Sequence, residues 1–175
     1  MKVKLIILDI DGVMTDGKKY YDRNGMPFAK TYCDKDFTAI KRLRGSGVSV
    51  CFLSGDNVVN EAMAKNRNID FYYARGKNKA EFVKEFVKKY NTTNDLMVYV
   101  GDDLFDIDII NEVGHGYCPS DACVDVKEVC GKLNVLKSKG GNNVIMELVE
   151  VLLEKKLIND CSLKDIEKLD RKEKF

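Results

Sequence analysis

Two pairs of acidic residues stand out for what they could do chemically. Asp9 and Asp11 follow an apolar run that climbs from Val3 to Leu8, and Asp102 and Asp103 follow a second run from Leu96 to Val100. Apolar runs this short, closed by turn residues, read as strands buried on both faces. In strand geometry side chains i and i+2 share a direction, so the carboxylates of Asp9 and Asp11 can face one site, and Gly12 lets the backbone turn away at once. Carboxylates side by side repel each other unless a cation lies between them. A hard divalent ion with oxygen ligands, most simply Mg²⁺, meets that need. Either pair alone also reads as an Asp-rich turn after a strand. Two such tips in one chain converge if their strands are neighbours, and that coincidence favours a metal site.

A third strand end, at Leu53, runs into Ser54-Gly55-Asp56-Asn57 and then an expected helix. A hydroxyl, a glycine and a helix N-terminus in succession make an anion cradle, since backbone N–H groups and the helix dipole both favour phosphate. Helix capping by Ser54, Asp56 or Asn57 accounts for the same residues. Lys79 opens another expected helix, where a cation is disfavoured by the dipole unless an anion lies nearby. A solvated lysine is the plainer alternative, and Arg75 or Lys77 in the same basic turn could serve as well.

These residues must be positioned by a scaffold. The chain has 175 residues, enough for one domain with a substantial core. Its 29 basic and 28 acidic side chains are interspersed, which argues against a nucleic-acid or membrane surface as the main partner. No apolar run approaches membrane-spanning length and no signal-peptide pattern opens the sequence, so a cytoplasmic protein is expected. The six cysteines form no Cys-x-x-Cys pair, and with the single His115 they fit no common zinc site. They are expected to be reduced and mostly buried; His115, remote from every acidic tip, reads as structural.

Alternating patterns predict helices over 37–44, 58–65, 79–90, 107–113 and 143–156. Strands are predicted over 48–53, 69–73, 96–100 and 115–118, with an edge strand over 133–136. Asn24-Gly25 between strand-like arms predicts a hairpin inserted at about 14–32, after the first strand. The expected fold is α/β, a Rossmann-like three-layer sandwich around a mainly parallel sheet with right-handed crossovers. One domain would cover 1–157, and 158–175 would be a charged C-terminal tail, helical at most.

Asp9-Ile10-Asp11-Gly12-Val13, Ser54, Lys79 and Gly101-Asp102-Asp103 resemble, in order and spacing, the four motifs of the haloacid dehalogenase superfamily of phosphatases. Asp11-Gly12-Val13-x-Thr15-Asp16-Gly17 before a hairpin, Gly101-Asp102-Asp103-Leu104-x-Asp106, and Lys139-Gly140-Gly141 before the last helix are similar to its cap-less sugar-acid phosphatases. The resemblance implies that Asp9 is a nucleophile forming an aspartyl-phosphate and that Asp11 is the general acid and base. It implies that Ser54 and Lys79 hold the phosphoryl oxygens. Mg²⁺ would be held by Asp9, the Asp11 backbone carbonyl and Asp102, with Asp103 behind them or acting through water. Thr15, Gly55, Asp56, Arg75 and Asn78 are the implied substrate contacts. The implied substrate is a 3-deoxy-2-ulosonate phosphate of eight or nine carbons. Asp56 departs from the Arg usual in the eight-carbon enzymes. A nucleotide phosphatase of the same superfamily and a non-catalytic assembly domain are the alternatives.

No inserted segment is long enough to form a cap domain, so a site at the sheet tips would lie open to water, which weakens its electrostatics. Tyr20, Tyr21, Phe28 and Tyr32 are too apolar for an isolated solvated hairpin. A homotetramer in which hairpins pack together and cover a neighbour's site answers both points, as the resemblance also implies.

Overall fold

The computed structural model describes residues 2–173. Five parallel strands form the sheet: β1 (Leu5–Leu8), β4 (Ser49–Ser54), β5 (Asp70–Tyr73), β6 (Met97–Val100) and β7 (His115–Tyr117). Their order is β5-β4-β1-β6-β7, so β1 lies at the centre between β4 and β6. A separate antiparallel hairpin pairs β2 (Tyr20–Tyr21) with β3 (Pro27–Ala29). The helices are α1 (Asp34–Gly45), α2 (Val58–Asn66), α3 (Val83–Lys89), α4 (Ile107–Glu112), α5 (Val124–Cys130), α6 (Val144–Glu154) and α7 (Leu163–Asp170).

The central strands β1 and β6 are buried along their whole length and carry no charged residue because both sheet faces are covered there. On β1, Ile6 and Leu8 face a layer that holds Ile40 of α1 and Leu148 of α6. Leu5 and Ile7 face the opposite layer, with Phe86 of α3, Ile109 of α4 and Val126 of α5. β4 and β6 divide in the same way: Phe52 and Val100 lie on the first side, Leu53 and Tyr99 on the second. The result is a three-layer sandwich with a buried parallel sheet. Because every strand of that sheet runs the same way, all five C-terminal ends lie along one edge.

Local departures from the expected pattern have identifiable causes. The edge strand expected over 133–136 is a 3₁₀ turn, Lys132–Asn134, followed by a single bridge from Cys118 to Val135. The chain turns sharply out of α5 at Gly131, φ 73°, so Leu133 points to solvent and only Leu136 is deeply buried. The sequence pattern does not predict helix α5; its two turns are too short for periodicity to register. The segment from Lys79 begins as a 3₁₀ turn, Lys79–Phe82, before α3. Within 158–175, α7 lies along α1, tied by Lys41 to Asp170 and Glu173. Of the six cysteines, Cys51, Cys118 and Cys130 are buried and the other three only partly so. His115 begins β7, at the end of the sheet away from the acidic tips.

Candidate active site

Three adjacent strands deliver the first wall of the site. β1 ends at Asp9, whose N–H donates to Val100 O at 2.9 Å; β4 ends at Ser54; β6 ends at Gly101-Asp102-Asp103. These tips open on a cavity of about 610 Å³, lined among others by Asp9, Asp11, Ser54, Gly55, Asp56, Arg75, Lys77, Lys79, Asp102, Asp103 and Phe105.

Lys79 is buried at the floor of this wall. Its Nζ donates to Asp9 Oδ2 at 2.7 Å, to Asp106 Oδ1 at 2.6 Å and to the Tyr99 hydroxyl at 3.1 Å. An ammonium has three donors, and all three are used. Burial by itself would lower the Lys79 pKa, but the charges of Asp9 and Asp106 raise it above the ordinary lysine range. The anion that a lysine at this helix start requires is therefore supplied by the protein itself.

Carboxylate oxygens of Asp9, Asp102 and Asp106 lie within 4.8 Å of one another. Asp106 has nothing left to give a metal. Its Oδ1 accepts from Lys79 and from the Tyr99 hydroxyl, and its Oδ2 accepts from the N–H groups of Asp102 and Asp103 at 2.8 and 3.0 Å. It instead fixes the loop that carries Asp102. Asp102 differs: its Oδ1 is buried and has no hydrogen-bond partner. Burial, followed by the charges of Asp9, Asp106 and Asp103, pushes its carboxyl up to about 8. Burial also raises Asp9, against the pull of Lys79. An orphaned carboxylate oxygen beside a second raised carboxylate is the environment that a divalent cation relieves. Gly12 is required for it, since at φ 83° a Cβ would run into the Asp102 carboxylate.

The second wall comes from the hairpin. Lys30, just after β3, has a fully buried side chain and donates to Asp11 Oδ1 at 2.7 Å and Oδ2 at 3.0 Å, to Asp56 Oδ2 at 2.9 Å and to Asn60 Oδ1 at 2.8 Å. Lys19, just before β2, reaches Asp56 Oδ2 at 2.9 Å and Asp11 Oδ2 at 3.3 Å. Burial alone would raise Asp56, but its hydrogen bonds to Lys30 and Lys19 outweigh that and hold it at about 2. Asn60 of α2 is buried; its Nδ2 donates to Ser54 Oγ at 3.0 Å and to Asp11 Oδ2 at 3.3 Å.

Two expected substrate contacts lie elsewhere. Thr15 is fully buried, with Oγ1 bonded to Ile10 O and to the N–H of Gly17, so it fixes the turn after Asp11 rather than lining the cavity. Asn78 uses Oδ1 to accept from Ala80 N–H and Nδ2 to donate to Asp108, so it caps the 3₁₀ turn. Asp103 lines the cavity and also caps the turn at Leu104. Sequence reasoning does not single out Asp106, Tyr99, Lys19, Lys30 or Asn60 as site residues. Only Asp106 carries a signal, as the last residue of Gly101-Asp102-Asp103-Leu104-x-Asp106; in the structure it closes a capping box with Asp103.

The chain is similar to known proteins over most of its length. A family described as haloacid dehalogenase-like hydrolase matches residues 57–146. The 3-deoxy-D-manno-octulosonate 8-phosphate phosphatase KdsC of Haemophilus influenzae is 28% identical over 153 residues, 87% of this chain and 83% of that protein. A solved cobalt-bound structure of the Haemophilus influenzae enzyme superposes with a TM-score of 0.80, at 28% identity, covering 88% of this chain and 86% of the other. The Moraxella catarrhalis 3-deoxy-D-manno-octulosonate 8-phosphate phosphatase, solved with magnesium ion, phosphate ion and KDO, gives 0.78 at 25% identity, covering 87% and 86%. Among the described residues no helix is long and apolar enough to cross a membrane.

Proposed function

This chain belongs to the haloacid dehalogenase-like hydrolase family and is a phosphatase; from that premise we propose that it hydrolyses, with Mg²⁺, the phosphate ester of a small sugar acid, a 3-deoxy-2-ulosonate of eight or nine carbons. The observation that carries this reading is the unpartnered Asp102 oxygen beside a Lys79-anchored Asp9 in one cavity with Ser54. The named relatives support the substrate class, and the cavity offers Arg75 and Lys77 for the carboxylate of such an acid.

An Asp9 carboxylate oxygen attacks phosphorus. The bond from phosphorus to the ester oxygen breaks as the aspartyl-phosphate forms, and the departing oxygen takes from Asp11 a proton that this partly open carboxylate picks up from solvent when the phosphate dianion enters. A water oxygen then attacks phosphorus while Asp11 takes its proton, the aspartyl–phosphorus bond breaks, and inorganic phosphate leaves. Ser54 holds a phosphoryl oxygen through both steps, and Lys79, whose three donors hold Asp9, Asp106 and Tyr99, sets its positive charge beside the phosphoryl group. Asp9, Asp102 and the Asp11 backbone carbonyl would hold Mg²⁺, which supplies the positive charge that lets a carboxylate approach a phosphate dianion. Uncatalysed monoester hydrolysis is slow enough to require a barrier cut of about 20 kcal/mol or more, which paired acids without cations cannot supply.

The test is phosphate release from a panel of sugar-acid phosphates, simple sugar phosphates and nucleotides, with and without Mg²⁺. The fastest turnover is expected on a sugar acid, and Asp9→Asn is expected to remove roughly 10⁴-fold or more of it. Preference for a nucleotide would overturn the substrate class; near-normal turnover in Asp9→Asn would overturn the nucleophile. The proposal includes a homotetramer built on residues 14–32. Tyr20, Tyr21 and Phe28 are each about 60% exposed on the hairpin, a costly arrangement for an isolated chain. Sedimentation of Tyr21→Glu and Phe28→Glu against the unaltered protein checks it, and a fully active monomer would refute it.

A further inference from the structure

We propose that Lys30 is a positioning residue for proton transfer, holding Asp11 over the phosphate site from the hairpin. The inference rests on the reading of Asp11 as the general acid. An ammonium is costly to bury unless every donor is matched. The Lys30 side chain is fully buried, and its Nζ meets three partners: Asp11, Asp56 and Asn60. Two of these, Asp11 and Asp56, lie on different strand tips and line the same cavity. The third, Asn60, ties Asp11 to the hydroxyl of Ser54, the residue placed against the phosphoryl group. Lys30 and Asn60 together therefore fix the Asp11 carboxylate on the cavity wall next to Ser54. Asp56 has a defined part in this. It neutralises Lys30 and Lys19 rather than reaching a substrate. The aspartate at this position is the counter-charge that lets the hairpin lysine enter.

A purely structural role for Lys30 and a positioning role differ in which chemical step they affect. Departure of an alkoxide needs a proton from Asp11; departure of p-nitrophenolate, already stable as an anion, does not. Hydrolysis of the aspartyl-phosphate again needs Asp11, now as base. Rapid-mixing kinetics should be run on Lys30→Met and on Lys30→Met/Asp56→Asn. The double variant leaves no uncompensated carboxylate where Lys30 was, so it keeps the fold when the single variant does not. The probes are p-nitrophenyl phosphate and the fastest alkyl phosphate of the panel.

In both variants the first turnover of the alkyl phosphate should fall roughly 10²-fold. With p-nitrophenyl phosphate a burst of nitrophenolate equal to the enzyme should persist and be followed by slow turnover. Equal loss of the first turnover on both probes would make Lys30 structural and overturn the proposal. Recovery of alkyl turnover in the double variant would also overturn it, since Lys30 would then serve only to neutralise Asp56. Asp11→Asn is the control for the underlying reading. If it keeps alkyl turnover, Asp11 is not the acid and both readings fall; if it shows the burst pattern while the Lys30 variants match the unaltered protein, only the Lys30 proposal falls.

Discussion

The wall of the cavity around Asp9 and Lys79 is made of strand tips, and the wall around Asp11 is made by a hairpin that returns over them. The first holds three carboxylates and one ammonium, Asp102 partly buried and the rest buried, with negative charge in excess. The second holds two carboxylates and two lysines, balanced, with Asp11 and Lys19 partly open to solvent. An unbalanced buried cluster has to recruit a cation, whereas a balanced one is complete in itself. The proposed metal site and the proposed proton-transfer site thus differ in how their charges are compensated, although Asp9 and Asp11 are two residues apart. Phosphoryl binding and leaving-group protonation can then be perturbed one at a time.

The comparison is broken most severely through Asp106. Asp106→Ala strips Lys79, Tyr99 and the loop N–H groups of their shared acceptor, and Lys79 keeps one carboxylate partner instead of two. Turnover should fall roughly 10²-fold and stability by about 3 kcal/mol, the cost of opening a buried pair from one side. Steady-state kinetics and thermal melting measure the two effects. A variant with unchanged melting would show that the loop is held by something other than Asp106.

A smaller effect separates the two acids of that loop. Asp102→Ala should weaken Mg²⁺ binding by titration calorimetry more than Asp103→Ala, because Asp102 carries the orphaned buried oxygen while an oxygen of Asp103 already accepts from Leu104. The reverse order would exchange their roles.

The smallest and sharpest contrast is in pH. Asp102 is raised in the folded protein from 3.8 to about 8, so it favours folding while protonated. That contribution is whole below about pH 4 and is lost as pH rises toward 8. Asp56 is lowered from 3.8 to about 2, so its contribution is present above about pH 4 and is lost as pH falls toward 2. Metal-free protein should therefore melt lower at pH 8 than at pH 5, and Mg²⁺ should reduce that difference because it replaces the proton. Amides of the hairpin should lose exchange protection only below about pH 4. A metal-free melting temperature independent of pH between 5 and 8 would contradict the excess charge assigned to the strand-tip wall.

The strand-tip wall is legible in the amino-acid sequence, and the hairpin wall is not. Leu5 to Leu8 and Leu96 to Val100 are apolar without alternation, which marks buried parallel strands, and in such a sheet acidic residues just after each run must share one edge. Local sequence therefore determined the fold class, the shared edge of Asp9, Ser54 and Asp102 and the need for a cation, whereas their convergence depended on β1 lying between β4 and β6. Even there the partner of Lys79 was open, because the choice among Arg75, Lys77 and Lys79 depends on which side chain the turn sends beneath Tyr99. Lys30 reads in sequence as a polar residue after a hairpin arm, one of many solvated lysines. Its burial follows from β3 lying beside α2, and its partners are 19, 26 and 30 residues away. The N-terminus of α6 is settled the same way: Asn143 sits at φ 66°, and Asp36 of α1, 109 residues earlier, accepts from Ile145 N–H. Burial, and with it the choice between a solvated charge and a paired one, is a property of what lies across the fold, so only the tertiary structure decided which charges do chemistry and which hold them in place.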